Sequence, residues 1–203
     1  MLTLYLIRHG QTEYNASGRV QGWLDVPLDD VGKMQALSVG RRFINKHVSA
    51  VYTSPLSRAA ETARAIAAAC KREIILDLRL REYNMGDWTG LTGDEIAATA
   101  PGYHLATHEA QIPNGESAME MRKRVDAFLA DVISKHTSRE TVVAVSHGGT
   151  LGMVVAAMLN MPAVRRQPFT FGNTAITKVT HEYGEYGVWR LRSLNDRCHL
   201  RKE

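Results

Sequence analysis

The chain has 203 residues, of which 44% are hydrophobic, 23% are charged and only six are proline. These values lie near the averages of globular domains and exclude a disordered, collagen-like or low-complexity chain. The formal net charge is +4, but residues 190–203 account for +3 of it. The rest of the chain is nearly neutral and does not form the basic footprint of a nucleic-acid-binding protein.

The two cysteines, Cys70 and Cys198, have neither CxxC nor Cys/His spacing. This argues against a zinc site and against a disulfide framework, so we expect a reducing, cytoplasmic location. The apolar start at residues 1–7 lacks a basic leader, and no apolar run approaches the about 18 residues of a membrane-spanning helix. The sequence therefore predicts a protein that carries no recognisable export signal and does not contact a membrane.

Three short apolar segments in the first half of the chain are typical of buried strands, at residues 2–7, 49–53 and 73–77. A helical pattern follows each of the first two. This alternation of strands and helices predicts a parallel α/β sheet.

The two helices between these strands have recognisable starts. The first is predicted from a cap at Asp29 or Asp30 through residue 45, and the second from Ser54 as N-cap, with Pro55 in the first helical position, to about residue 70. Arg58 would then lie in or near the first turn of the second helix. The apolar face of the first helix is predicted to comprise Val31, Met34, Leu37, Phe43 and Ile44.

Residues 78–138 interrupt this alternation with a glycine-punctuated loop, a short helical pattern after Asp94 and a Pro101-Gly102 pair. We predict an insertion here that acts as a lid or specificity segment over the sheet. Its last part, 117–136, has the clearest helical periodicity of the chain. The apolar positions of that helix are Met121, Val125, Phe128, Leu129, Val132 and Ile133.

The last third predicts a strand at 141–145, a helix at 150–159 and an antiparallel hairpin formed by 175–181 and 188–194. We thus predict one α/β domain over residues 1–203. It would be a three-layer sandwich with a mostly parallel central sheet, helices on both faces and an antiparallel edge. The hairpin edge leaves homodimer formation open.

Four side chains that are or can become cationic follow predicted strand ends. Arg8 and His9 follow the first strand, Arg58 the second and His147 the strand at 141–145. The carboxyl ends of parallel strands meet at one edge, where open α/β sheets bind ligands. Close cations repel by on the order of 1 kcal/mol per pair even when largely solvated, so we expect an anionic ligand between them. Guanidinium forks and helix N-termini suit a phosphate.

Four sequence blocks resemble, in order, the signature of the histidine phosphatase (phosphoglycerate-mutase-like) superfamily. They are LIRHGQTEYN at 6–15, TSPLSRAAETA at 53–63, LREYNMG at 80–86 and VSHGG at 145–149. Two further stretches, at 21–23 and 113–117, also match the family. The resemblance spans nearly the whole chain and implies a phosphoglycerate-mutase-like fold.

The resemblance also implies a role for each matched residue. His9 would be the nucleophile that becomes phosphohistidine and Glu82 the proton donor, while Arg8, Arg58 and His147 would form the phosphate pocket. His9 must then be neutral at the attacking nitrogen, whereas His147 helps most when charged. Such a site needs no metal and no cofactor. The remaining substrate contacts would come from Asn15, Gln21, Gly22 and Gly148.

Several of these assignments have alternatives in the sequence itself. Glu82 lies beside Arg79 and Arg81 and would also suit a surface salt bridge. Asn15 would also suit a turn cap with residues 17–18. Gln21 would also serve only to shape its loop.

The resemblance leaves two activities open, phosphatase and 2,3-bisphosphoglycerate-dependent phosphoglycerate mutase. Mutases of the family carry a longer insertion with extra arginines for a second phosphate or carboxylate, whereas residues 83–112 here contain no Arg or Lys. We therefore favour hydrolysis of a small phosphorylated metabolite. A non-catalytic phosphate- or nucleotide-binding module is the remote alternative, since neither G-x-G-x-x-G nor a P-loop occurs.

Specificity would depend on the segments around the phosphate pocket. Tyr83, Met85, Trp88 and residues 103–112 are expected to form the specificity wall. The chain end resembles the tail of small-molecule phosphatases, which would bring His199 back toward the substrate.

Overall fold

The computed structural model describes residues 1–99, 112–165, 167–184 and 187–200. Within them, six strands form one sheet in the order β3-β2-β4-β1-β5-β6. The strands are β1 (Leu2–Arg8), β2 (Ala50–Thr53), β3 (Ile74–Leu76), β4 (Thr141–Ser146), β5 (Ile176–Glu182) and β6 (Val188–Asp196). Strands β1 to β4 pair in parallel, and β5 and β6 add an antiparallel edge beside β1.

Helices cover both faces of this sheet. They are α1 (Glu13–Ala16), α2 (Asp30–Arg41), α3 (Ser57–Cys70), α4 (Gly93–Thr99), α5 (Ala118–Lys135) and α6 (Gly148–Met158), with 3-10 turns at Leu78–Leu80, Gly86–Trp88 and Cys198–Leu200. One apolar cluster joins alternate strand residues to α5 and α6, and a second joins the opposite strand face to α2 and α3. The predicted three-layer architecture is confirmed. None of the helices in the described residues is long and apolar enough to cross a bilayer.

The predicted apolar face of α2 is wrong in four of its five positions. The side chains of Val31, Met34, Leu37 and Ile44 are 53%, 62%, 53% and 54% exposed, and only Phe43 is buried. The helix ends at residue 41, short of the predicted residue 45.

The buried residues of α2 are instead the small ones, Gly32, Ala36, Val39 and Gly40. A Cβ atom on Gly40 would lie 2.7 Å from the Ala65 carbonyl oxygen of α3, and one on Gly32 would lie 2.0 Å from the Gln11 carbonyl oxygen. Because α2 approaches its neighbours this closely, only small side chains fit between them.

Helix α3 begins two residues later than predicted, at Ser57, and the residue before it makes no side-chain cap. The prediction that Ser54 is the N-cap is therefore wrong. The Ser54 hydroxyl instead lies 2.9 Å from His147 Nε2 and accepts a hydrogen bond from the Leu56 N–H at 3.3 Å. Ser54 thus belongs to the site rather than to the helix.

The segment 78–138 contains a core helix. Helix α5 is capped by Ser117, whose hydroxyl accepts from the Glu120 N–H while Glu120 reaches back to the Ser117 N–H. Its inner face packs in the same apolar cluster as α6. The part that we continue to propose as a lid therefore ends before Ser117. The predicted Pro101-Gly102 turn and wall residues 103–111 lie outside the described residues.

Candidate active site

The carboxyl end of β1, the start of α3 and the start of α6 surround a cavity of about 320 Å³. This volume is near the lower limit of small-molecule sites, which favours a small metabolite. Its lining comprises Arg8, His9, Asn15, Arg19, Val20, Gln21, Gly22, Arg58, Glu82, Tyr83, Met85, Gly149 and Arg165. Nine of the thirteen candidate residues from the sequence thus line one cavity, while His147, Gly148, Trp88 and His199 do not.

His9 is held in one tautomer. Its Nδ1 lies 2.7 Å from the Gly10 carbonyl oxygen, which can only accept, so Nδ1 carries the hydrogen and Nε2 keeps its lone pair. The Gly10 N–H donates to the Thr62 hydroxyl at 3.0 Å, which ties this corner to α3. Burial and the nearby Arg8 and Arg58 charges lower the pKa of His9 well below 6.5. The imidazole is therefore neutral, as a nucleophile must be.

His147 lies next to His9, with 5.0 Å between the ring centres, and is completely buried. Its Nδ1 accepts from Arg58 Nε at 3.2 Å, and its Nε2 donates to Ser54 Oγ at 2.9 Å. Burial and the Arg58 charge lower the pKa of His147 well below 6.5. His147 is therefore neutral in this structure, and its charged form beside a bound phosphate stays a prediction. In this structure it bonds to Arg58, and direct contact with phosphate would require one of these two bonds to open.

Arg58 is fixed along its whole guanidinium. Besides the bond to His147, Nη1 and Nη2 donate to the carbonyl oxygens of Leu24 and Gly22 at 2.9 and 2.8 Å. Burial lowers the pKa of Arg58 to about 10, so it remains a cation at neutral pH. A buried cation held rigidly beside a nucleophile stabilises charge without reorganisation.

Arg8 contributes an incompletely bonded guanidinium. Its Nη1 donates to the Phe171 carbonyl oxygen at 2.7 Å, but its buried Nε has no partner among the described residues. A buried donor without an acceptor costs about 1–3 kcal/mol. A bound phosphoryl oxygen would supply that acceptor.

Glu82 is anchored at the N-terminus of α6. Its Oε2 accepts from the Gly149 N–H, and its Oε1 accepts from the N–H groups of Thr150 and Tyr83, all at 3.0 Å. A Cβ atom at position 149 would lie 2.7 Å from Glu82 Oε1, so the glycine admits the carboxylate. The sequence predicts that helix N-termini of this kind bind phosphate. In this structure they orient the proposed proton donor.

The main chain of Glu82 is held from outside the cavity. Its carbonyl oxygen accepts from Trp23 Nε1 at 2.7 Å and from Arg124 Nη2 at 3.1 Å. Arg124 is in turn fixed by a largely buried ion pair with Glu116 at 2.7 Å. Sequence reasoning missed Arg124, since it lies in α5 outside every matched block.

The charged neighbours of Glu82 pair elsewhere. Arg79 bonds to Asp77 and Asp131, and the Arg81 guanidinium lies 3.7 Å from the Trp23 ring centre. The alternative of a surface salt bridge at Glu82 therefore has no support among the described residues.

The remaining predicted substrate contacts differ in position. Asn15 forms a capping box with Thr12, and its Oδ1 also accepts from Asn173, so the amide NH₂ is the end left for a ligand. Gln21 is buried with its Oε1 unpartnered among the described residues. Gly22 contributes its carbonyl to Arg58.

Besides His147, three predicted residues lie outside the cavity lining. Gly148 packs against Arg8, since a Cβ atom at position 148 would be 3.7 Å from Arg8 Nε. Trp88 is buried in a small apolar cluster with Ile96 and Ile112. His199 bonds to the Thr174 hydroxyl at 3.1 Å and does not line the cavity. Its contact with substrate stays a prediction.

Two neutral buried histidines predict a pH-dependent stability. The unfolded chain takes up protons on both below about pH 6.5, whereas the folded chain does not, so the free energy of unfolding falls as pH falls. Each histidine contributes up to about 1.4 kcal/mol per pH unit in that window. His147→Asn keeps an acceptor near Arg58 and should remove one of these contributions. Urea titrations between about pH 5 and 7 test this; a wild-type–variant difference that does not change with pH would contradict it.

A neutral imidazole, two guanidiniums and an anchored carboxyl group that line one cavity are an arrangement suited to phosphoryl transfer. Among the described residues, no group of three or more His, Cys, Asp or Glu side chains could hold a metal ion. Fold and site together define a phosphatase-type enzyme.

The comparisons with known proteins agree. The chain belongs to the histidine phosphatase superfamily (branch 1), whose family model matches residues 4–197. A curated relative, the probable phosphoglycerate mutase GpmB of Enterobacter sp. (strain 638), is 35% identical over 98% of this chain and 95% of its own length.

Solved structures give the same family. A mycobacterial glucosyl-3-phosphoglycerate phosphatase in its native form is 30% identical with a TM-score of 0.88, covering 96% of this chain and 99% of that one. A phosphoserine phosphatase of Entamoeba histolytica in complex with 3-phosphoglyceric acid is 31% identical with a TM-score of 0.86, covering 98% and 100%. The family resemblance is confirmed, and the relatives carry both mutase and phosphatase names.

Proposed function

We propose that this protein is a cytoplasmic, metal-independent phosphomonoesterase that hydrolyses a small phosphorylated metabolite through a phosphohistidine on His9. The observation that carries the proposal is the 2.7 Å bond from His9 Nδ1 to the Gly10 carbonyl oxygen. It leaves the Nε2 lone pair available in a cavity that also contains Arg8, Arg58 and Glu82.

In the first step, His9 Nε2 attacks phosphorus, and a P–N bond forms as the ester P–O bond breaks. The leaving oxygen takes a proton from the Glu82 carboxyl group and departs as an alcohol. Arg8 and Arg58 bind the phosphoryl oxygens, on which the charge is spread in the transition state. Arg8 Nε supplies a donor that is already desolvated.

In the second step, water attacks the phosphohistidine. The P–N bond breaks, Glu82 takes the proton of the water, and His9 returns to its neutral form as inorganic phosphate leaves. The same carboxyl group thus gives and then receives a proton, which needs it to stay in place between steps. Its three backbone N–H bonds meet this requirement.

The second candidate is a phosphoglycerate mutase, in which an alcohol rather than water accepts the phosphoryl group. The curated relative named above supports it, and so does the cavity wall. Arg19 and Arg165 line the cavity, so cations reach it from outside residues 83–112. The lack of Arg and Lys in that segment is therefore weaker evidence against a mutase than the sequence alone indicates.

Phosphate release in excess EDTA tests the proposal. We expect turnover of p-nitrophenyl phosphate and of at least one metabolite among phosphoserine, phosphoglycerates, phosphosugars, nucleotides and α-ribazole phosphate. Activity that disappears with the chelator would contradict the metal-independent mechanism. Interconversion of 2- and 3-phosphoglycerate that depends on 2,3-bisphosphoglycerate, without phosphate release, would establish the mutase instead.

A further inference from the structure

We propose that the outward face of α2 is a two-fold interface with a second copy of this chain, in which the two helices pack antiparallel. The inference does not depend on the proposed function, since the described lining of the catalytic cavity includes no residue of α2. It assigns the homodimer, which the sequence leaves open, to one surface of the molecule.

The outward face of α2 exposes several large apolar side chains. Val31, Met34 and Leu37 are 53%, 62% and 53% exposed, and Ile44, just beyond the end of the helix, is 54% exposed. A single exposed apolar residue is ordinary on a protein surface and needs no explanation. Four large ones on one helix and its end form a patch of the kind that marks an interaction site.

The residues along this face follow a self-complementary order. Asp30, Met34, Leu37 and Arg41 are spaced by four, three and four residues, which places them on one side of the helix. This spacing is that of the contact seam between paired helices. We call these four residues the outer stripe. It has an acid at its first position, two apolar side chains in its middle and a base at its last position.

The outer stripe fits a second copy of itself when the two helices run in opposite directions. Asp30 and Arg41 lie equally far from the middle of the stripe, and so do Met34 and Leu37. A two-fold axis through that middle therefore places each Asp30 opposite the partner's Arg41. The same axis places each Met34 opposite the partner's Leu37. A surface that complements itself about a two-fold axis is what a symmetric dimer requires. Parallel helices would instead bring like charges together at both ends.

Both charged ends of the outer stripe are accessible to a partner. The Asp30 side chain is 98% exposed, and its bond to Lys33 at 3.0 Å is a surface contact. A carboxylate has lone pairs for several donors, so Asp30 can accept from an arginine of a second copy and keep Lys33. Arg41 is exposed and makes no ion pair within the described residues. The charged ends thus determine the direction of pairing, while the apolar middle supplies the burial that stabilises it.

The size of this surface predicts a weak dimer. Helix α2 has 12 residues, so it is about 18 Å long and about 10 Å wide. One pair of such helices buries less than the about 1,200 Å² at the lower end of stable interfaces. We therefore expect a dissociation constant of about 10–100 µM. Sedimentation velocity of the native protein from about 1 to 500 µM measures it.

Substitution in the apolar middle tests the surface. Met34→Glu would bury an unpaired charge and should weaken the dimer by at least about tenfold. Met119→Glu is the matched control, because Met119 is also a 62% exposed methionine but lies in the first turn of α5. It should change the dissociation constant by less than about twofold. Circular dichroism checks that each variant folds, and Met34→Gln replaces Met34→Glu in the test if the glutamate variant does not.

Charge variants of the two ends test the antiparallel pairing. Asp30→Arg places an arginine opposite the partner's Arg41, and Arg41→Glu places a glutamate opposite the partner's Asp30. Each variant alone should dimerise at least about tenfold more weakly than the native protein. In an equimolar mixture of the two, both ends again join opposite charges, and a heterodimer should form within about threefold of the native affinity.

Three results would overturn the proposal. The first is a native protein that stays monomeric up to about 500 µM. The second is a dimer that the substitution of Met34 leaves intact, since its interface would then lie elsewhere. The third is a mixture of the two charge variants that associates no more tightly than either variant alone. A native dimer that the substitution of Met34 weakens, that Met119→Glu leaves unchanged and that the mixture restores would establish the interface.

Discussion

Replacing His9 by alanine is expected to lower kcat by about 10⁴-fold or more and to abolish the acid-labile phosphoenzyme. The expectation follows from the fixed tautomer, because among the described residues of the cavity lining only His9 presents an unprotonated ring nitrogen. His147 cannot substitute for it. Both of its nitrogens are bonded, to Arg58 and to Ser54, and its ring does not line the cavity. Rapid acid-free quenching after mixing with ³²P-labelled substrate measures the phosphoenzyme.

The His9→Ala protein should still bind inorganic phosphate, because Arg8 and Arg58 keep their bonds to the carbonyl oxygens of Phe171, Leu24 and Gly22. Calorimetry separates this loss of chemistry from a loss of binding. His47→Ala, at an exposed position, is the matched control and should keep full activity. A phosphoenzyme that still forms in His9→Ala would remove His9 from the nucleophile role.

The sequence predicts the sheet and the convergence of strand ends because both depend on local patterns. β-Branched runs followed by glycine mark buried strands, and parallel pairing then brings Arg8, His9 and His147 to one edge without further information. The two layers of helices follow from the same alternation. These features needed no knowledge of distances between elements.

The wrong predictions for α2 and Ser54 arise where close contact, rather than hydrophobicity, determines which residues are buried or bonded. Helix α2 turns Val31, Met34 and Leu37 outward because the Gly32 and Gly40 surfaces allow nearer approach to neighbouring backbone. Periodicity counts apolar side chains and cannot register such an approach. The sequence predicts Ser54 as a helix cap for a similar reason, since the competing partner, His147, lies 93 residues further along the chain.

The position of Arg165 in the cavity lining cannot be predicted from the sequence, because this residue lies in a loop with no motif around it. Its placement beside Trp88 and Tyr83 requires the tertiary fold. Residues of this kind, on loops over a rigid scaffold, commonly distinguish substrates within one family. The catalytic core can thus be predicted from the matched blocks, whereas the loop residues that complete the cavity cannot.

Replacing Glu82 by glutamine is expected to slow alkyl phosphates far more than p-nitrophenyl phosphate. An alkoxide leaves poorly without a proton, so loss of the general acid should lower kcat/KM for glycerol 3-phosphate by about 10²–10⁴-fold. Nitrophenolate leaves readily without a proton, and its ester should lose less than about tenfold. Stopped-flow measurement of the nitrophenolate burst separates formation of the phosphoenzyme from its hydrolysis.

A purely structural effect of the substitution would lower kcat/KM for both esters by the same factor. The comparison of the two leaving groups distinguishes such an effect from the loss of a general acid. Such an effect exists, because the glutamine NH₂ would face the N–H donor of Gly149 or those of Thr150 and Tyr83, which now bind the carboxylate oxygens. This donor–donor contact should cost about 1–3 kcal/mol of folding free energy. Asp87→Asn, at an exposed carboxylate of the same loop bonded to Asn114, controls for the loss of charge and should change neither substrate. If Glu82→Gln lowers kcat/KM for both esters by the same factor, Glu82 holds the start of α6 in place and the proton of the first step comes from elsewhere. If only the alkyl ester slows, the carboxyl group anchored there is the acid.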